Sequence, residues 1–263
     1  FPGVFWVHND SGDTPRIFAI KASGEQVMPR FMQNTAPDNW PGYTIDNAWQ
    51  YDWEDIAMAE GVLYLADVGN NENSRRDMGV YVVSEPDPVY TFKTRAQKFL
   101  PIRFPDQIEF PAKRWHFDCE AVFTSNGKLY FLTKHRQPGK ALGWEPGTKL
   151  YRLDTEFTDE VNVLNLIDQH PGVFLATGAD VSPDGQNLAV VTYAQLWIFT
   201  RPQEGDQWLQ SPSRMLLLNR AQVKQNEAVA WEDNDTLLLT NENREIFRIS
   251  LAAIPALDHD EEF

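Results

Sequence analysis

The chain has 263 residues, of which 42% are hydrophobic and 13% aromatic, so it can bury a full core and is not disordered. Its net charge of −15 disfavours nucleic acid and anionic lipid surfaces as partners and favours cations. The single cysteine, Cys119, excludes an intrachain disulfide, and no stretch approaches the ~20 apolar residues that span a bilayer.

The chain begins at Phe1-Pro2-Gly3 without a methionine, which indicates a processed N-terminus. We therefore expect a secreted or periplasmic protein whose signal peptide has been removed. Residues 4–10 are typical of the second strand of a repeat, and residues 16–20 of its third strand. The first strand of this repeat would lie before Phe1, so it is missing or supplied elsewhere.

Four further segments share one layout, in which an acidic residue is followed at a nearly constant distance by the end of a second strand. Asp67 lies 13 residues after Glu54, Thr133 lies 13 after Glu120, and Thr240 lies 13 after Glu227. Thr192 lies 12 residues after Asp180, one residue short. A third strand follows each time, and outer strands are expected at residues 26–31, 97–104, 161–167 and 214–218.

Short strands in unequal units with no convincing amphipathic helix predict an all-β propeller of four-stranded blades, built as one domain over residues 1–263 with a tail at 255–263. We count five blades, or six if residues 85–117 contain another. A two-sheet sandwich is the rival fold, but it predicts no acidic residue in phase. Two long loops, residues 33–51 and 85–117, are candidates for function, and Trp40 and Trp49 could line a ligand groove.

The in-phase acids Glu54, Glu120, Asp180 and Glu227 predict a metal site. The first strand of each blade lines the central channel of a propeller, so equivalent positions meet around one axis. Four converging carboxylates would repel one another unless a cation neutralised them, and an all-oxygen ligand set favours calcium. Alternatively, these acids cap strands or lie in a water-filled channel with raised pKa values.

Residues at the ends of the second strands could gather at one face of the channel. The candidates for acid, base or electrostatic roles there are His8, Asp67, His135 and Tyr193. Equally, they could be ordinary loop residues. Cys119 lies between Asp118 and Glu120, which favours a packed structural residue over a nucleophile.

The patterns Asp52-Trp53-Glu54-Asp55-Ile56-Ala57, Asp67-Val68-Gly69-Asn70-Asn71 and Asp118-Cys119-Glu120-Ala121 resemble those of a group of secreted bacterial propeller proteins of unassigned role. More distantly, the four in-phase acids, here called the acidic ring, resemble the axial acids of three classes of calcium-dependent propeller enzymes. These are the calcium-activated nucleotidases, the propeller phytases and the lactonases of the strictosidine-synthase-like class. That resemblance implies axial calcium at Glu54, Glu120, Asp180 and Glu227. The lysine-rich phosphate pocket of propeller phytases has no counterpart here, which argues against phosphate chemistry.

Two functions remain open from the sequence. The first is a module that binds a small molecule, a glycan or a protein with the loops at the channel mouth, with calcium in a structural role. The second is a calcium-dependent hydrolase of a small ester, lactone or phosphorylated substrate. In either case we expect a monomer that neither binds nucleic acid nor inserts into membranes.

Overall fold

The fold is nearly all β in a computed structural model that describes residues 1–32, 34, 39–140 and 142–257. The one α-helix among these residues is the single turn Arg220–Val223. The strands are β1 (Phe5–Val7), β2 (Arg16–Ile20), β3 (Gln26–Val27), β4 (Tyr43–Asp46), β5 (Trp53–Ala59), β6 (Val62–Asp67), β7 (Gly79–Ser84), β8 (Lys93–Arg103), β9 (Trp115–Ser125), β10 (Lys128–Arg136), β11 (Thr148–Leu153), β12 (Asn162–Val163), β13 (Asn165–His170), β14 (Ala176–Val181), β15 (Asn187–Thr192), β16 (Gln195–Thr200), β17 (Ser213–Leu217), β18 (Asn226–Asp233), β19 (Thr236–Asn241) and β20 (Ile246–Ser250).

These strands form antiparallel meanders, each with its first strand on the inside. The meanders run β5-β6-β7-β8, β9-β10-β11-β13, β14-β15-β16-β17 and β18-β19-β20. Strands β1, β2 and β3 form a further antiparallel group, and β4 joins β2 to β8. The first strands β5, β9, β14 and β18, here called the inner strands, lie side by side in that order. The chain is therefore a β-propeller.

The hydrophobic core lies between consecutive sheets, as packing of sheets face to face requires. Phe104, Phe117 and Tyr151 fill the space between the β5–β8 meander and the meander that begins with β9. Large aromatic and aliphatic side chains fill the other three spaces in the same way. Between the β1–β4 strands and the β5–β8 meander lie Ile17, Tyr43 and Trp53. Phe123, Trp197 and Trp208 lie between the meanders that begin with β9 and β14, and Val191, Trp231 and Leu239 lie between those that begin with β14 and β18. Cys119 is fully buried in the first of these clusters.

The two segments predicted as long loops contain strands instead. Residues 85–117 include β8, the outer strand of the β5–β8 meander, and the described residues show no extra blade there. Residues 33–51 include β4, although residues 33 and 35–38 lie outside the described part of the chain. Trp40 is a core residue, whereas Trp49 is 73% exposed. Residues 258–263 of the predicted tail are also outside the described residues, and residues 255–257 run along β17.

Buried aspartates join inner strands that belong to different sheets. Asp55 on β5 accepts a hydrogen bond from the backbone N–H of Val122 on β9, at 2.8 Å. Asp180 on β14 does the same with the N–H of Trp231 on β18, also at 2.8 Å, and its backbone carbonyl accepts from the Trp231 indole. These contacts satisfy N–H groups on strand edges that no neighbouring strand reaches.

No helix within the described residues is long or apolar enough to cross a membrane.

Replacing Asp55 with alanine should lower stability by about 1–3 kcal/mol, because the N–H of Val122 would stay buried without an acceptor. Asp46→Ala is the matched control, since Asp46 pairs only with exposed Lys93 and the change should cost less than ~1 kcal/mol. Urea denaturation measures both. Equal midpoints for the two variants would show that the contact between β5 and β9 contributes nothing.

Candidate functional site

Each inner strand carries a residue that bulges out of register with its neighbour in the meander at an equivalent position, and β9 and β18 have a second irregularity elsewhere. A β-bulge leaves one residue unpaired and re-aims its side chain. The bulged residues are Glu54 in β5, Glu120 in β9, Thr177 in β14 and Glu227 in β18. Three of the four acids predicted from the sequence therefore occupy one equivalent position, and bulges explain why they share it.

The third repeat differs from the others at this position. Thr177 holds the bulge and donates its hydroxyl to the backbone carbonyl of Asn226 at 2.8 Å. Asp180 lies three residues further along β14, where its carboxylate accepts from the N–H groups of Trp231 and Val181. Burial raises the pKa of Asp180 to about 7. The hairpin of this repeat is two residues longer than the others, since Thr192 lies 15 residues after Thr177, and the two differences together leave the offset from Asp180 one residue short.

Glu54 belongs to a group of three carboxylates, here called the acidic triad, with Asp10 and Asp52. One oxygen from each lies within 4.8 Å of the others, and Asp10 is exposed while the other two are half-buried. Burial, followed by the charges of Glu120 and Asp118, raises the pKa of Glu54 well above its usual value. Burial, followed by the charge of Asp10, raises the pKa of Asp52 to about 6. The triad thus crowds three carboxyl groups together, and among the described residues no cationic side chain forms an ion pair with any of them.

Gly69 forms the wall behind the triad. A Cβ atom at this position would lie 2.1 Å from Oε1 of Glu54 and 2.3 Å from Oδ2 of Asp52. Only glycine leaves both carboxylates where they are. The backbone N–H of Gly69 also donates to the carbonyl of Asp52 at 3.2 Å, which ties the end of β6 to the start of β5.

Glu120 has a cation of its own. The ammonium of Lys134 lies 2.6 Å from its carboxylate, and the Lys134 side chain is 3% exposed. Attraction by Glu120 and then Asp118 outweighs burial and raises the pKa of Lys134. The Arg136 guanidinium pairs with Asp118 and lies 3.6 Å from Glu120. Lys134 and Arg136, here called the basic pair, neutralise this side of the channel.

Tyr193 and Glu227 complete the surroundings of the basic pair. The Lys134 ammonium donates to the Tyr193 hydroxyl at 3.5 Å and lies 5.6 Å from the centre of the Trp144 ring. Burial raises the pKa of Tyr193 to about 12, so the phenol is neutral. Gln225 donates to both Glu227 and Glu242, at 2.7 and 2.8 Å, and burial raises the pKa of Glu227 to about 7.

The four catalytic candidates from the sequence divide in the structure. Tyr193 lies against the basic pair, as above. His8 lies beside Trp53 and two residues from Asp10, its Nδ1 faces the Asn9 carbonyl at 2.7 Å, and burial lowers its pKa. Asp67 pairs with Arg75 at 2.9 Å and accepts from the N–H of Asp52, so it holds the loop before β5. His135 points away from the others and stacks on His116.

Asp52 and Arg136 were absent from the sequence prediction of the site, whereas Asp10 and Lys134 belong to the strand ends expected to gather at one face. Asp10 and Asp52 bring the triad together from loops far apart in the chain, and Arg136 accompanies Lys134 two residues away on the same face of β10. The Asp52-Trp53-Glu54 and Asp67-Val68-Gly69 patterns contain two of the three acids of the triad and the glycine behind them, so part of the site could be read from the sequence. Proximity of Asp10 to these patterns depends on how β1 packs, which no spacing in the sequence reveals.

No protein-family model matches the chain, and no curated protein matches it. Among solved structures it is similar to a luciferin-regenerating enzyme, with 14% identity, a TM-score of 0.48 and coverage of 98% of this chain and 74% of that one. It is also similar to a putative 6-phosphogluconolactonase from Bacteroides uniformis, with 10% identity, a TM-score of 0.43 and coverage of 97% and 81%. A third similar structure is a gluconolactonase from Xanthomonas campestris, with 12% identity, a TM-score of 0.44 and coverage of 93% of this chain and 66% of that one.

Stability should fall as the pH rises from 5 to 7.5, and Asp180 should account for roughly 2 kcal/mol of the loss. Because the folded-state pKa of Asp180 lies above the unfolded value, its contribution is complete in acid and is lost as the pH rises through about 7. Asn at this position resembles the protonated acid, so Asp180→Asn should make the urea denaturation midpoint depend less on pH. Asp184→Asn is the control, because the Asp184 pKa is lowered instead. An unflattened slope in Asp180→Asn would contradict the assignment.

Proposed function

We propose that this propeller binds calcium at the acidic triad and uses the cation to hold an oxygen-bearing ligand at the channel mouth. The observation that carries the proposal is the cradle at Gly69, which keeps two carboxylates close together without a neutralising side chain. Crowded carboxylates are costly to ionise, and a bound cation removes that cost. The ligand atoms are all oxygen, which suits calcium and disfavours zinc or copper.

The triad differs from the predicted ring of Glu54, Glu120, Asp180 and Glu227 in how its charges are balanced. Glu120 already faces the Lys134 ammonium, and Asp180 faces two backbone N–H groups. Glu227 accepts from the side-chain amide of Gln225. Among the described residues Glu54 has no partner of these kinds, so it is the ring member best suited to a cation. Participation of the other three stays a prediction.

An open side of the site suits a bound ligand. Three carboxylates supply roughly half of the six to eight oxygens that calcium takes, which leaves positions for water or a ligand oxygen. Asp10 is exposed. Tyr51 and Trp49, which come one and three residues before Asp52 in the chain, are 59% and 73% exposed. Exposed aromatic rings beside a polar site offer a surface for the carbon skeleton of a small molecule or glycan. We also place the protein outside the cytoplasm, where calcium is abundant enough for modest affinity.

Calcium should raise the thermal stability of the wild type, because it binds the folded triad and not the unfolded chain. At about 100 times the dissociation constant the gain is roughly 2.7 kcal/mol. Glu54→Gln and Gly69→Ala should both lose most of this gain, the first by removing charge and the second by displacing two carboxylates. Differential scanning calorimetry with calcium and with EDTA measures the effect.

Glu72→Gln is the matched control, since Glu72 is an exposed acid on the loop that follows Gly69. It should keep the full gain. In EDTA, Glu54→Gln should match or exceed the wild type in stability, because it relieves repulsion within the triad. The absence of a calcium effect on the wild type would refute the cation site and leave the propeller intact.

The basic pair favours a second candidate, hydrolysis of a small ester or lactone. Bound calcium would polarise the scissile carbonyl. Lys134 and Tyr193 provide N–H and O–H donors for an oxygen that becomes negative when water attacks the carbonyl carbon. With its Nδ1 facing the Asn9 carbonyl, His8 keeps Nε2 as an acceptor for the proton of that water. The ester C–O bond then breaks, and the alcohol leaves with the proton that His8 took from the water, which returns the imidazole to its neutral form.

Lys134→Met should reduce any such hydrolysis by about 10²-fold or more, the usual cost of removing one donor to a developing oxyanion. Lys128→Met is the control, because Lys128 is an exposed residue at the other end of β10. A screen of ester, lactone and phosphoester substrates, with calcium and with EDTA, measures the rates. Calcium binding without turnover of any substrate would leave the ligand-binding function alone.

A further inference from the structure

A second concave site lies apart from the acidic triad, beside the meander β9-β10-β11-β13. It is a cavity of about 690 Å³, a volume typical of small-molecule sites. Its walls come from the segment before β9, the end of β10, the start of β11 and the end of β13. Three of the chain's five histidines line it, namely His116, His135 and His170. No member of the triad or the basic pair does.

The charge of this cavity is opposite to that of the protein. Lys113, Arg114 and Lys149 line it against Asp106 and Glu109, an excess of one positive charge in a chain of net charge −15. Both acids are already paired, Asp106 with Lys149 at 2.5 Å and Glu109 with Lys113 at 3.1 Å. Arg114 has neither an ion pair nor a hydrogen bond to any described residue. A guanidinium left in this way is suited to a carboxylate or phosphate, which it binds through two parallel N–H groups.

The inner wall of the cavity is aromatic, and its most buried histidine ring is neutral. The His116 and His135 rings stack in parallel with centroids 3.8 Å apart, and His116 also bonds Glu145 at 2.7 Å. His135 is 6% exposed, and burial, followed by the charge of His116, lowers its pKa to about 3, so this ring is neutral. Phe117 and Ala112 extend the apolar part of the wall. Such a surface accepts a carbon skeleton.

We propose that this cavity binds a small organic acid, whose anionic group pairs with Arg114 and whose carbon skeleton lies against His116 and Phe117. The excess of positive charge favours an anion over a cation, and the aromatic wall favours an acid with an apolar part over a bare inorganic anion. This inference stands independently of calcium at the triad, because the two sites share no residue.

Histidine NMR signals test the proposal directly, since the chain has five histidines. Benzoate and phenyl phosphate are the probes, titrated into the full chain, and single His→Gln variants assign the signals. Binding should shift the signals of His116, His135 and His170 and leave that of His8 in place. A stronger response to benzoate identifies a carboxylate site, and a stronger response to phenyl phosphate identifies a phosphate site.

Arg114→Ala should weaken binding of the better probe by roughly tenfold, the usual effect of losing a charge-assisted contact. Arg95→Ala is the control, because Arg95 is exposed on β8 and does not line the cavity, and it should bind as the wild type does. Neutral benzamide should bind at least tenfold more weakly than benzoate. The proposal is overturned if neither probe moves the three signals, if benzamide binds equally well, or if Arg114→Ala leaves the affinity unchanged.

Discussion

Desolvation of carboxylates along the inner strands is the constraint on which the rest of this structure depends. Eight acids discussed above are wholly or partly buried near these strands. One of them, Glu227, accepts from the side-chain amide of Gln225, and the protein deals with the other seven in three ways. Asp55 and Asp180 accept backbone N–H groups from the next sheet, so their burial also joins the sheets. Cationic side chains pair with the second set, Glu120, Asp118 and Asp67. Asp52 and Glu54, together with exposed Asp10, receive neither.

This division concerns how each buried acid is partnered. Groups of the first two kinds are satisfied by the chain itself, and they hold neighbouring strands at fixed spacing. The third kind, Asp52 and Glu54, lies crowded against Gly69, where only a glycine leaves room for both carboxyl groups. Natural proteins retain such crowded acids where they serve binding or chemistry. In the proposed function, a polar ligand lies between the Lys134 ammonium and the partly open acidic triad.

Much of the propeller could be predicted from the sequence because its signals are local. Alternating apolar residues and turns such as Ser125-Asn126-Gly127 marked the inner hairpins, and the acids marked three of the four bulges. Strand β8 begins four residues before the outer strand predicted at residues 97–104, because its first half is mostly polar and exposed and carries little apolar signal. The partnership of Lys134 with Glu120 and the meeting of Asp10 with Asp52 depend on side-chain direction and on packing between sheets. The sequence therefore placed Lys134 and His135 together at a strand end, whereas in the structure Lys134 pairs with Glu120 and His135 stacks on His116.

Strand β10 separates the two sites, and consecutive residues of this one strand serve both. Lys134 faces Glu120, His135 faces the histidine-lined cavity, and Arg136 returns to Asp118. Because side chains alternate across a strand, a shift of one residue would exchange these surroundings and bury an ammonium beside imidazole rings. Insertions and deletions in this strand should therefore be tolerated only in even numbers or in the turn before Lys128. Over evolution, neither site could be rebuilt by a length change in β10 without dismantling the other.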